Sequence, residues 1–164
     1  MLIHALAILE WLGLIGAANG APILCKRFMK MWFAWPIDGG IILYDRHPLL
    51  GRSKTWRGVV AAVLLTLSVA VLIGLPWQAG PVVAASAMVG DCTSSFIKRR
   101  LGIETSSMAI GLDQVPESLL PAVAGIIFLP FGTIDIIAIV LAFIVAELGL
   151  SRLLFAVGLR DRPY

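Results

Sequence analysis

The sequence predicts an all-α integral membrane protein: five transmembrane helices in one bundle, amino terminus outside and carboxyl terminus in the cytoplasm. Three observations predict it. First, 59% of the 164 residues are hydrophobic and 14% are charged, with a mean hydropathy of +0.94. A soluble domain has about 45–50% apolar and about 25% charged residues. Second, long uncharged stretches recur, and each span needs about 20 apolar residues. Third, the 13 lysines and arginines segregate to one side of a five-helix path, which the positive-inside rule makes cytoplasmic.

Each element follows in order. The apolar run over about 2–24 supplies the first helix. Its "GAANGA" (16–21) has the small residues of a signal-peptide cleavage site, but no cation precedes the run, which favours a retained helix. Loop 25–57 then carries Lys26, Arg27, Lys30, Arg46, Arg52, Lys54 and Arg57. No charge occurs from Gly58 to Gly90, a stretch long enough for two helices. "GLPWQAGP" (74–81) is the turn between them, because Pro and Gly break helices and Trp77 suits the membrane–water interface. Loop 97–117 carries Lys98, Arg99 and Arg100, and "LPFGTID" (129–135) divides 118–155 into helices four and five. The tail adds Arg152, Arg160 and Arg162. Residues 1–164 make a single integral membrane domain with no repeat and no linker. Cys25 and Cys92 lack neighbours at metal-ligand spacing and read as small apolar residues.

Asp91 is the residue this architecture does not explain. Helix three reaches water near Lys98, so at about 1.5 Å per residue Asp91 lies roughly 10 Å deeper. A carboxylate there costs about 2.5–3.5 kcal/mol on insertion scales and needs a partner. Asp91, Ser94 or Ser95, and Lys98 share one helical face. A metal at the acid with a phosphate between the hydroxyls and Lys98 uses that face. An Asp91–Lys98 structural ion pair uses it equally well.

"LLGRSKTWRGVVAAV" (49–63) leads into helix two. Thr55 is placed to cap that helix, leaving backbone N–H groups that favour an anion. Lys54 and Arg57 add charge, while Trp56 suits either a stacked base or the interface. Glu10 and Glu147 lie inside helices one and five and read as structurally paired; Glu104 and Glu117 read as loop charges. Asp135 reads as solvated at an outer turn, and His4 and His47 lack catalytic company. A Walker-type glycine-rich loop is absent.

These motifs together resemble a family. "SKTWRG" (53–58) looks like the "SPKKTWEG" element of the membrane phosphatidate cytidylyltransferases. "GDCTSSFIKRR" (90–100) is similar to their G-D-x-x-x-S-x-x-K-R segment, and "GLDQVPES" (111–118) to their final "LDR-x-D-S". The smaller five-helix branch, the CDP-archaeol synthases, resembles this chain further in "ANGAPIL" (18–24) and "PIDGG" (36–40). "GIETSSMAIG" (102–111) and Gln114 depart from the acyl-lipid enzymes and favour that branch.

The resemblance implies magnesium-dependent transfer of CMP from CTP to a lipid phosphate of the inner leaflet, giving a CDP-lipid and pyrophosphate. It implies Asp91 and Asp113 as metal-holding, catalytic acids with Lys98 as a catalytic cation. Asn19, Asp38, Lys54, Thr55, Trp56, Arg57, Ser95 and Arg99 are its substrate-binding positions. An archaetidate-like or a phosphatidate-like acceptor fits, nucleic acid is not an expected partner, and an oligomer is compatible with these features. Two other readings are a small transporter subunit with a basic inner mouth and a non-catalytic membrane protein that binds anionic lipid. The transporter reading explains the topology and Asp91 but not the KTW element.

Overall fold

The computed structural model describes residues 2–156. It contains five α-helices: α1 (Leu2–Met29), α2 (Trp56–Leu72), α3 (Ala79–Arg100), α4 (Gln114–Ala124) and α5 (Thr133–Ala156). A short 3-10 turn, Gly125–Ile127, extends α4. Among the described residues the only β pairing is two isolated bridges. The tail cations Arg160 and Arg162 lie outside the described residues.

The helix order is the expected one, with three shifts of boundary. α1 runs to Met29, past the expected end near 24, because nothing breaks it before Lys30 turns to φ +46°. Lys98, Arg99 and Arg100 form the last turn of α3 and do not start a loop; cations are favoured at a helix carboxyl end. α4 begins at Gln114, so Glu117 and Ser118 are helical and buried. Pro116 falls in its first turn, where proline's missing N–H costs nothing.

α1 crosses the centre of the bundle and packs on α2, α3, α4 and α5. Trp11, Leu14, Ile15 and Ala18 on α1 pack with Val83, Ala87, Ala122 and Ile139 in one core. The Trp11 indole N–H donates to the Pro121 carbonyl at 2.8 Å. Small residues let the backbones approach. A Cβ at Gly80 would lie 2.5 Å from the Leu67 Cα, and one at Gly90 would lie 2.2 Å from the Pro116 carbonyl oxygen. α1 and α5 are each long and apolar enough to cross a membrane. Leu64, Leu72, Ile137, Leu141 and Val145 point outward, leaving an apolar exterior that hydrocarbon would cover.

Short connections, 73–78 and 128–132, join helices at one end of the bundle. There Asp135 accepts from the Gly132 N–H at 2.8 Å and lies 3.5 Å from the His4 ring, so it is engaged and not merely solvated. The two long loops, 30–55 and 101–113, share the other end. They touch: the side chain of Thr105 lies 3.2 Å from where a Gly51 Cβ would be.

Candidate functional site

Loop 30–55 carries Lys54 to the bundle through main-chain pairing. The Ile37 N–H donates to the Lys54 carbonyl at 2.9 Å, and the Trp56 N–H donates to the Trp35 carbonyl at 3.1 Å. Asp38 organises the rest. Its carboxylate accepts from Gly40 at 3.0 Å, Leu50 at 2.9 Å and Gly51 at 3.1 Å. Burial alone would raise its pKa, but these three backbone donors outweigh that and hold the carboxyl below the ordinary aspartate range. At the loop's far edge, Arg100 pairs with Asp45 at 3.1 Å and donates to the Pro48 carbonyl at 2.7 Å.

The Lys54 ammonium pairs directly with the Asp91 carboxylate on α3. Burial pulls the lysine pKa down, yet the adjacent Asp91 charge more than offsets this and holds it above the ordinary value. The Glu117 carboxyl on α4 lies within hydrogen-bonding reach of Asp91. Gly90 makes this approach possible, because only a residue without a Cβ lets Pro116 and Glu117 sit against α3. Asp91 is therefore partnered by Lys54 and Glu117; the expected one-face ion pair to Lys98 does not form.

Lys98 belongs to a second cluster. Its ammonium lies 2.6 Å from the Asp113 carboxylate and donates to the Ser107 carbonyl at 3.0 Å. Asp113 also accepts from the Ala109 N–H at 2.8 Å. Arg99 is buried; it donates to the Thr105 hydroxyl at 2.6 Å and the Glu104 carbonyl at 2.9 Å. Loop 101–113 thus folds back onto the carboxyl-terminal end of α3, where Asp113 of "LDQ" meets Lys98. In the structure the two acids, Asp91 and Asp113, pair with different lysines.

The remaining expected residues are placed as follows. Thr55 occupies the N-cap position of α2, but its side chain makes no capping bond, contrary to expectation. Trp56 is exposed. Arg57 donates to the carbonyls of Lys30 at 2.7 Å and Trp32 at 2.6 Å. Asn19 donates to the Ile15 carbonyl of its own helix at 3.2 Å. Ser95 is buried on α3, and Ser94 donates back to the Asp91 carbonyl at 3.0 Å.

An apolar groove of about 500 Å³ is bounded by loop residues Ile37, Leu49 and Leu50 and by Met88, Cys92 and Phe96 of α3, with Cys92 next in sequence to Asp91. Glu117, read from the sequence as a loop charge, is the residue that reading missed. The signal for it was Pro116, which suits the first turn of a helix and so puts Glu117 on α4.

Comparison with known proteins gives the family. The sequence model of a family described as CarS-like, CDP-archaeol synthase, matches residues 31–164. A CDP-archaeol synthase of Hyperthermus butylicus is 40% identical over 105 residues, which span 60% of this chain and 60% of that protein. Those of Thermofilum pendens and Natronomonas pharaonis are 32% and 35% identical over 90% and 79% of this chain, and over 75% and 84% of their own lengths. A solved structure of an intramembrane enzyme of archaeal membrane lipid biosynthesis superposes with a TM-score of 0.71 at 27% identity, covering 86% of this chain and 90% of that one. The chain belongs to the CDP-archaeol synthase family.

Proposed function

We propose that this chain transfers CMP from CTP to an archaetidate-like lipid phosphate, with Mg²⁺, at the cytoplasmic face of a five-span membrane bundle. A lipid phosphate oxygen attacks the α-phosphorus of CTP. The bond to the β-phosphate bridging oxygen breaks, and pyrophosphate leaves. One observation carries the reading: Lys54 pairs with Asp91 and lies near Glu117 at the end of the bundle where the two long loops meet, and Cys92, the residue after Asp91, lines an apolar groove.

The donor set fits magnesium. Two carboxyl groups in mutual contact need a proton or a cation between them, and Mg²⁺ usually takes one or two carboxylates plus substrate phosphates. Asp91 and Glu117 would hold it, and bound there it would neutralise charge on the triphosphate. Asp113, the other acid implied by the resemblance, reaches the same ion only by releasing Lys98. Lys54 is placed to move from Asp91 toward a phosphate oxygen, and Lys98 and Arg99 hold loop 101–113 against the site. In-line placement and charge neutralisation supply most of what such a transfer needs. The groove takes the first part of the lipid chain while the phosphate stays at the polar edge.

The decisive experiment is incubation of the purified chain with labelled CTP and extracted archaeal lipid phosphates, with the product identified by mass spectrometry. A CDP-lipid that forms only with divalent metal supports the proposal, and labelled CTP left unconsumed refutes it. For orientation, single cysteines at Ser53 and Ser106, in a background lacking Cys25 and Cys92, should react only from the cytoplasm. Cysteines at Gln78 and Thr133 should react from outside.

A further inference from the structure

The turn after α1 is left unused by this reading, and it is unusual. Residues 28–35 read "FMKMWFAW", and no acid occurs between Glu10 and Asp38. Phe28 is 81% exposed, Met31 83% and Trp32 74%, with Phe33 and Trp35 also outside. Lys26 and Arg27 close the last turn of α1, and Lys30 follows them. All three are exposed. Phe28, Met29, Lys30 and Trp32 line an open recess of about 430 Å³.

The turn is held in this shape. Lys30 and Phe33 have φ of +46° and +52°, a region that costs non-glycine residues energy and persists only where neighbours enforce it. Arg57 enforces it by donating to the carbonyls of Lys30 and Trp32. Phe33 and Trp35 pack edge to face with centroids 5.8 Å apart. Water alone gives no reason to brace bulky apolar side chains outward.

From this we infer that the turn is an interfacial docking surface that seats the headgroup of an anionic bilayer lipid, separate from the lipid that is converted. α1 has 28 residues and is about 42 Å long, against a hydrocarbon core of about 30 Å. Its last turn therefore emerges among headgroups. Tryptophan and other aromatics prefer that layer, and each cation there enriches anionic lipid about fivefold. Three cations without an opposing acid set the sign of the partner. The surface is coupled to the site, because Arg57 stands three positions after Lys54 and the 35–37 segment pairs with 54–56. The inference rests on the proposed function only for placing this end of the bundle at a membrane surface.

The test uses the full chain in vesicles of phosphatidylcholine with 20 mol% of either brominated phosphatidylglycerol or brominated phosphatidylcholine, a fraction on the order of natural anionic content. The readout is the part of the tryptophan quenching lost in Trp32→Phe. Brominated phosphatidylglycerol should quench that part about threefold more strongly than the neutral lipid, and Lys26→Gln/Arg27→Gln/Lys30→Gln should abolish the difference. Equal quenching by both lipids would overturn the inference, as would a preference that survives in the triple variant. So would loss of the preference on adding CTP, which would assign the cations to nucleotide. No turnover is read, so failure of the transferase assay leaves this result standing, and the reverse also holds.

Discussion

Two lysine–aspartate pairs sit at the same end of the bundle, and they differ in what surrounds them. Lys54–Asp91 has a second acid, Glu117, within reach, so two carboxylates face one ammonium. Lys98–Asp113 has Arg99 beside it, so two cations face one carboxylate. The first pair has an additional acid near it, and Cys92, the residue after Asp91, lines an apolar groove. The second has an excess of positive charge and spends its donors on the carbonyls and hydroxyl of loop 101–113. The same two residue types thus make the proposed metal site in one place and a loop fastener in the other. Neighbours one helix away decide which.

The largest effect expected from this contrast is at Asp91. Asp91→Asn removes the charge that holds Lys54 and, in the proposed mechanism, the metal, while an amide remains cheaper to bury than an unpaired carboxylate. CMP transfer should fall at least about a thousandfold, or about 4 kcal/mol of barrier, with insertion and helicity retained. Glu117→Gln should fall nearly as far. Near-normal turnover in either purified variant would remove the metal from this cluster.

Asp113→Ala should cost less. It leaves Lys98 with the Ser107 carbonyl alone, loosening loop 101–113. We expect kcat/KM for CTP to drop about tenfold to a hundredfold, or about 1.4–2.7 kcal/mol, with the magnesium concentration for half-maximal rate unchanged. A shifted magnesium requirement would show that Asp113 shares the metal and that the two clusters act as one. Thermal melts separate the clusters further. Gly90→Ala drives a Cβ into the Pro116 backbone and should cost about 3 kcal/mol or more. Gly111→Ala meets nothing within 4 Å and strains only a φ of +83°, so about 1 kcal/mol is expected.

How much of this was legible in the sequence depends on the range of the interaction. Helix order, the turns at 74–81 and 129–135, and the burial of Asp91 follow from runs of apolar residues, which are local signals. The return of "LDQ" onto α3 was legible only because the motif resembles a known one. Glu117 was misplaced because the loop was drawn as far as 117, whereas Pro116 lies in the first turn of α4, where a proline starts a helix comfortably. The side-chain partner of Asp91 was not legible for a different reason. Helical spacing favours Lys98, but Lys54 arrives from another loop, and no periodicity records a contact between residues 37 positions apart. Likewise Arg57 and Asp38 look like ligands in a motif, yet their groups hold main-chain atoms of loop 30–55.

The smallest effect tests that last point and separates the two clusters by pH. Asp38 fastens the loop that delivers Lys54, as Arg99 fastens the loop that delivers Asp113. Its carboxyl is held below the ordinary value of 3.8 by the backbone donors of Leu50, Gly40 and Gly51, against the opposing effect of burial. A group with a lowered folded-state pKa contributes stability that is complete above its unfolded value and is lost as pH falls through the folded one. The contribution of Asp38 should therefore be full at pH 6 and fade only below the ordinary aspartate range. Asp38→Asn should lose about 1 kcal/mol at pH 6 and nothing further on acidification, giving a shallower acid limb than the wild type. Amide exchange, corrected for the intrinsic rate at each pH, can be read at Leu50 and Gly51 and compared with Ile103 in the other loop. Faster exchange at the first two positions with Ile103 unchanged is the expected result. Equal loss at Ile103 would mean that the contact between Gly51 and Thr105 welds the loops into one unit, and the two clusters would then have to be treated as a single site.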